Sequence, residues 1–469
     1  MIFLQCLKRT KNGRIRRSGT VFFAVPIFLL CVQYALNFRP RESENFVLDE
    51  YYRINKKFIY VYDLPPRFNT GMLSENMFEL FPGTKYAQWQ SEFYIHQLLK
   101  NNTCVTANAD QATIFFVPIY GSGMRTMSPS EKSNFWSSLL AWLKDQKSSS
   151  GISYYDRKDG FDHVFPFGAS RSWCKVSQPN LKSPKCLGLT HKSLFEYNFI
   201  KLSVEFTGLE QKHLITLNSM EKLSRIIIIP YMHYDERSAL GFNFSGLVSS
   251  DDTLPKKRKY LLYFSGSLLP KTAPFRATFK EVCDSYQGCL FTESGRRIFN
   301  TTKMSSSFHM SNFCAVLGGD SRASKRFFDA MTSYCIPVVF DPMLVLPFLD
   351  SIPYDKFVVR APFIRDRDTV LYVLQELSSI PLHRIIEMRE EIKKYRSHLS
   401  YLSPSRPNAI DMIIRRLYLR GEAFSKFPVS RTPLFEAGYR DWSKFSNQLC
   451  GSSGIVSCSV HSQHILKKF

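Results

Sequence analysis

The residues of this chain best placed to do chemistry stand in one short stretch, Gly318-Gly319-Asp320-Ser321-Arg322, followed by Ser324, Arg326 and Asp329. A glycine pair lets a ligand approach the backbone. A helix opening just behind it offers unsatisfied amide groups and the positive end of a dipole, which together suit a diphosphate. Read as one helix beginning near Ser321 to Ser324, Arg322, Arg326 and Asp329 fall at i, i+4 and i+7 and share a face. A guanidinium fork there matches phosphate oxygens, and a carboxylate one turn on matches ribose hydroxyls. The competing reading is an Arg326–Asp329 surface ion pair worth under ~1 kcal/mol. Ala323, Phe327 and Met331 lie on another face and should pack on a sheet.

Such a loop needs a strand before it and one behind it. Phe313-Cys-Ala-Val-Leu317 and Ile336-Pro-Val-Val-Phe340 have the short, apolar, β-branched character required. Other runs of this kind are Phe58–Tyr62, Ala112–Pro118, His163–Phe167, Arg225–Pro230, Tyr260–Gly266 and Phe357-Val-Val. Helical periodicity separates them at about 86–100, 133–144 and 368–399. Buried-type strands alternating with helices predict parallel sheets covered on both faces. The sequence therefore predicts an α/β chain of two tandem Rossmann-like domains, 57–245 and 258–420. An aperiodic linker, 246–257, joins them and an extension of weak patterning, 421–469, follows.

The N-terminus adds a third feature. Lys8, Arg9, Lys11, Arg14, Arg16 and Arg17 are unbalanced by any acid, and no charge occurs from Ser18 to Phe38. Twenty-one helical residues at ~1.5 Å each match a hydrocarbon core of ~30 Å. The expectation is a cytoplasmic tail (1–17), a single-pass signal anchor (18–38) and a stem (39–56), with the rest lumenal. A cleaved signal peptide is the alternative, although no small-x-small site follows the apolar run. Sequons at Asn101, Asn243 and Asn300 are then glycosylation candidates. Nine cysteines would be lumenal, where disulfides form, and Cys174/Cys186 and Cys283/Cys289 are the simplest local pairs. No spacing suggests zinc.

The formal charge of +22 raises nucleic-acid binding. A lumenal chain meets no nucleic acid, and no aromatic-basic motif concentrates the charge. Steering of an acidic polysaccharide or nucleotide sugar, or simply a solvated basic surface, remains.

The ordered motifs resemble those of the exostosin-like glycosyltransferases, glycosyltransferase family 47. Phe313-Cys314-Ala, Gly319-Asp320-Ser321, Ser324-Lys-Arg326-Phe-Phe-Asp329-Ala330 and Cys335-Ile-Pro337-Val match its C-terminal signature. Phe58-Ile-Tyr-Val-Tyr-Asp-Leu-Pro, Ser91-Glu92-Phe, Phe116-Val-Pro, Asp162-His163, Ile229-Pro-Tyr and Tyr263-Phe-Ser265-Gly266 with Arg276 fall in the family's order over roughly 57–400. Leu317 departs from the proline many members carry there. The resemblance implies a GT-B fold and a type II Golgi membrane protein. It also implies an inverting transferase that moves a sugar from a UDP-sugar to a glycan acceptor. The enzyme would need no metal cofactor and could form homo- or hetero-oligomers with other glycosyltransferases. Ser265, Gly266, Arg276, Gly319, Asp320, Ser321, Ser324, Arg326 and Asp329 become the nucleotide-sugar-binding candidates, with Arg276, Arg326 and the loop amides stabilising the leaving diphosphate. The base that deprotonates the acceptor should come from the N-terminal domain, with Glu92, Asp162 and His163 as candidates. Glu92 could instead be a helix-surface acid and His163 a structural histidine at a strand edge. The one Asp-x-Asp, Asp366-Arg-Asp368, stands before a predicted helix and reads as capping rather than metal binding. A catalytically inactive lumenal scaffold of the same fold is the alternative function, and UDP release with an acceptor would separate the two.

Overall fold

The computed structural model describes residues 56–72, 90–168, 198–205, 225–233, 258–268, 273–293, 301–319, 322–342 and 344–426. The anchor, most of the stem, the linker, Asn243, Asn300, Asp320, Ser321, Cys174, Cys186 and residues 427–469 lie outside them. All described residues belong to one compact unit, Tyr51–Phe469.

Two parallel five-stranded sheets form its frame. The first contains β1 (Ile59–Val61), β2 (Ile114–Phe116), β3 (His163–Phe167), β4 (Ile200–Ser203) and β5 (Ile226–Ile228), side by side in chain order. The second contains β6 (Tyr260–Ser265), β7 (Cys289–Thr292), β8 (Ser311–Val316), β9 (Ile336–Val339) and β10 (Val359–Arg360), in the order β10-β9-β8-β6-β7. Strands β2, β3, β4, β5 and β9 are buried throughout, as helix-covered parallel strands must be. β4 and β7 were not expected from the sequence. Lys201 interrupts the apolar run of β4, and β7 is a half-buried edge strand.

Helix α1 (Ser91–Lys100) buries Glu92, Ile95, His96 and Leu99, one i, i+3, i+4, i+7 stripe. Helix α2 (Pro129–Asp145) opens with a reciprocal capping box between Ser128 and Glu131. Its Phe135, Trp136, Leu139 and Leu143 pack on Phe115, Val117, Phe165 and Phe167 of the first sheet. The second sheet carries α3 (Phe275–Ser285), α4 (Thr301–His309) and α5 (Lys325–Thr332). The expected 368–399 helix is two, α6 (Arg367–Ser379) and α7 (Leu382–Tyr395), parted at Pro381, whose missing N–H cannot continue a ladder. Asp366 caps α6, accepting from the Thr369 N–H at 2.8 Å.

Helix α8 (Ala409–Lys426) runs across the expected boundary at 420. It packs on the first sheet. Tyr418 meets Phe58 at 5.3 Å between ring centroids, and a Cβ at Gly421 would stand 2.7 Å from Thr113 Oγ1. Between the sheets, Tyr401 donates to the Pro230 carbonyl at 2.9 Å and Tyr231 faces Phe328 of α5. Disulfides join Cys283 to Cys289, as expected, and Cys314 of β8 to Cys335 before β9, which was not expected.

Candidate active site

In a parallel sheet all strands end at one edge, and ligands bind beyond that edge where the strand order reverses. The second sheet reverses between β6 and β8. The chain runs from β6 outward to β7, then returns to the other side of β6 for β8. The crevice so made lies between Ser265-Gly266, after β6, and Leu317-Gly318, after β8. Sequence reasoning had put its glycines in these two loops.

Arg326 reaches this crevice from the first turn of α5. Its Nε donates to the Ser265 carbonyl, Nη1 to Ser324 Oγ at 3.4 Å, and its guanidinium lies 5.1 Å from the Phe264 ring centroid. Gly266 is required by space rather than by backbone angle. A Cβ there would stand 2.8 Å from Arg326 Nη2 and 2.7 Å from Phe264 Cζ. Ser324 is the N-cap of α5, and its hydroxyl accepts from the Arg326 N–H at 3.4 Å. Gly319 is half-buried in the loop after β8. Arg326, Ser324, Ser265, Gly266 and Gly319 are therefore together, at the edge where a ligand of such a sheet binds.

Other candidates are placed differently. The helix starts at Lys325, after an extended Ser324, so Arg322 lies outside it and the expected three-residue face does not form. Arg322 instead donates to both carboxylate oxygens of Asp341, beyond β9, at 2.8 and 2.9 Å. Asp329 is buried and accepts from Lys325 Nζ at 2.5 and 2.6 Å. The carboxylate thus pairs with Lys325, one turn before it on α5, rather than with Arg326. Arg276, at 2% exposure, spends its fork on main chain. Nε and Nη2 donate to the Gly318 carbonyl at 3.0 and 2.7 Å, Nη2 also to Leu317 at 3.3 Å, and Nη1 to Ser267 at 2.8 Å. These bonds place it behind the two loops.

The three base candidates separate by edge. Asp162 and His163 precede and begin β3, so they stand at the edge opposite the ligand-binding one, and neither is exposed at all. His163 Nδ1–H donates to Asp162 Oδ1 at 2.8 Å, which leaves Nε2 to accept from the Tyr62 hydroxyl at 2.9 Å. Arg157 donates to Asp162 Oδ2 at 3.3 Å, and the imidazole stacks on Phe115. This is a buried structural network, in which the histidine is enclosed within the core. Burial and the neighbouring Asp162 charge push the Tyr62 phenol well above its usual range.

Glu92 lies at the ligand-binding edge of the first sheet, on the buried stripe of α1 rather than on its surface. Oε2 accepts from the Ser122 N–H at 3.0 Å and hydroxyl at 2.9 Å, and Oε1 from the Gly168 N–H at 2.8 Å. The carboxyl thus ties the loop after β2 to the end of β3. Burial pushes it up to about 7 although all three donors pull the other way. Two further buried groups stand beyond the ends of β4 and β5, Glu205 and His233. Sequence reasoning passed over both. The signal available was their position two and five residues past an apolar strand.

The exostosin GT47 domain description matches residues 54–376. The chain belongs to this family. It is a glycosyltransferase, and as a member of the family it takes a nucleotide-sugar donor and a glycan acceptor. A probable arabinosyltransferase of Arabidopsis thaliana is 23% identical, aligned over 74% of this chain and 75% of its own length. A probable xyloglucan galactosyltransferase of the same plant is 26% identical over 61% of this chain and 52% of its own. A probable beta-1,4-xylosyltransferase, also of that plant, is 23% identical over 71% and 74%. The sugars in those names differ from one relative to the next.

Proposed function

We propose that this glycosyltransferase moves a sugar from a UDP-sugar, with inversion, onto a polysaccharide or glycoprotein glycan in the Golgi lumen, held there by its N-terminal anchor. The observation that carries the donor site is Arg326, fixed on the Ser265 carbonyl across Gly266 at the β6/β8 crevice. Inversion requires one in-line displacement, in which the acceptor oxygen forms its bond to the anomeric carbon as the bond to the diphosphate breaks. Arg326 and the loop amides stabilise the charge that gathers on the leaving diphosphate. The acceptor proton passes to a base at the facing edge of the first sheet, where Glu92, Glu205 and His233 are the groups to test. In this reading the protein's own cations and amides do the work a divalent metal does elsewhere, so turnover should survive excess chelator. The basic N-terminal flank and apolar run support a type II orientation, and endoglycosidase sensitivity at Asn101, Asn243 or Asn300 tests it.

The deciding experiment is UDP release by the full-length chain in detergent, across a panel of UDP-sugars and glycan acceptors. Turnover with at least one pair is expected. No release with any pair, together with no binding of UDP, would remove the proposal.

A further inference from the structure

Arg276 carries an inference that rests on the nucleotide reading above and deepens it. Three carbonyl groups from loops some fifty residues apart in sequence, Ser267 on one side and Leu317 and Gly318 on the other, all aim at this one guanidinium. A trans peptide unit is planar, and its C=O and N–H point in opposite directions. Of the peptide bonds in the described residues, only Arg406–Pro407 is cis. The Ser267 carbonyl turned toward Arg276 therefore turns the Leu268 N–H away from it. The Leu317 and Gly318 carbonyls do the same for the N–H groups of Gly318 and Gly319. Arg276 is 2% exposed, whereas Leu268, Gly318 and Gly319 are only partly buried, in the loops at the ligand-binding edge of the sheet.

We infer that Arg276 is a positioning residue, which sets three peptide planes so that the amides of Leu268, Gly318 and Gly319 form the seat for the donor's diphosphate. Successive outward N–H groups make an anion-binding concavity. The same guanidinium also sets the spacing of the two loops, because its planar fork bridges them with fixed geometry. Both the Arg276 guanidinium and that of Arg326 stand over the Phe264 ring, 5.3 and 5.1 Å from the centroid. The ring thus ties the hidden guanidinium to the one at the mouth. A lysine keeps the charge but cannot bridge three carbonyls from one planar group.

The test compares UDP with uridine on the full-length chain, because only UDP carries the group the amides would hold. Calorimetry on Arg276→Lys should show UDP affinity at least tenfold weaker, with uridine affinity within twofold of wild type. Unchanged UDP affinity overturns the inference, and so does an equal loss for uridine, which would mark a general disturbance of the site. Should the variant fail to fold, residue-resolved hydrogen exchange on the wild-type protein decides. UDP should slow exchange at Leu268, Gly318 and Gly319 about tenfold and uridine should not. Bound UDP with no protection there overturns it equally. Arg326→Ala separates the two readings. If Arg326→Ala weakens UDP binding while Arg276→Lys does not, only this inference falls. If the wild-type chain binds no UDP, the donor-site reading falls and this inference falls with it.

Discussion

Replacing Glu92 by glutamine tests whether a buried carboxyl at the acceptor-side edge holds its proton near neutrality. Burial raises this group from an ordinary 4.5 to about 7. Each tenfold change in acidity is worth ~1.4 kcal/mol, so the folded state's preference for the protonated form amounts to roughly 3 kcal/mol. The raised value fixes the sign. The stabilisation by that proton is complete below about 4.5 and is lost as pH rises through about 7. Three histidines act in the opposite sense. His96, His309 and His398 are pushed down to about 4, chiefly by burial, so the unfolded chain takes up protons between about 4 and 6.5 that the folded chain refuses. Their contribution grows with rising pH and masks that of Glu92 in the wild type, which makes the difference between wild type and variant the informative quantity. Glutamine does not titrate, and its amide sets an NH2 against one of the three donors, costing ~1–3 kcal/mol at low pH. Urea unfolding at pH 5, 6, 7 and 8 should therefore show wild type ahead at pH 5 and that lead falling by roughly 2–3 kcal/mol by pH 8, enough to cancel or reverse it. Parallel pH profiles for the two proteins would refute the reasoning. If Glu92 is also the base, the rate rises with pH through about 7 and the variant loses ~100-fold or more. A variant with full activity assigns Glu92 to loop-pinning alone.

Arg326→Ala should weaken UDP binding roughly 10–150-fold by calorimetry, the value of a charge-assisted contact of ~1.5–3 kcal/mol, and Arg326→Lys should restore only part of it. Gly266→Ala should lower the melting temperature and weaken UDP, because the new methyl would stand 2.7 Å from the buried Phe264 Cζ and 2.8 Å from Arg326 Nη2; wild-type UDP affinity in the folded variant would show that this arginine's place is unimportant. Tyr62→Phe should cost ~1–2 kcal/mol in urea unfolding, since His163 Nε2 then has no donor in a fully buried position, while UDP affinity stays unchanged. Loss of UDP binding in that variant would place the network in the site after all.

The elements legible in the sequence were those whose residues carry their own signal. The apolar runs of β1, β2, β3, β5, β6, β8 and β9 announce buried strands. The glycines after β6 and β8 announce close approach, and Asp366 announces a cap. What stayed hidden depends on partners that sequence does not mark. Arg276 bonds main-chain carbonyls, and any residue supplies a carbonyl, so nothing distinguishes a clamp from a ligand contact. Whether Arg322 shares a face with Arg326 hangs on where α5 begins, and boundaries within a Ser-Arg-Ala-Ser run are set by which serine caps. Asp162 comes before an apolar run, so its place at the strand's beginning, and hence at the edge away from the ligand, follows from chain direction alone.

The division of labour between the sheets follows from their strand orders. The first sheet winds in sequence from β1 to β5 and has no reversal among the described strands, so its ligand-binding edge offers side chains such as Glu92 rather than a crevice between loops. The second sheet reverses at β6/β8, and there two loops part and their amides can face a ligand. A transferase needs both kinds of edge, one to hold a charged leaving group by backbone and guanidinium, the other to present an ionisable group to an acceptor. Helix α8 ties the two. It leaves the second sheet's part of the chain, packs on Phe58 and Thr113 of the first, and its Arg416 pairs with Asp350 in the second sheet's part of the chain. That pair is largely buried, so removing Asp350 takes away a charge-assisted hydrogen bond worth ~1.5–3 kcal/mol. Asp350→Ala should therefore lower the melting temperature far more than it lowers UDP affinity at a temperature where the protein remains folded. If binding falls while melting does not, the helix governs the site rather than the frame that carries it.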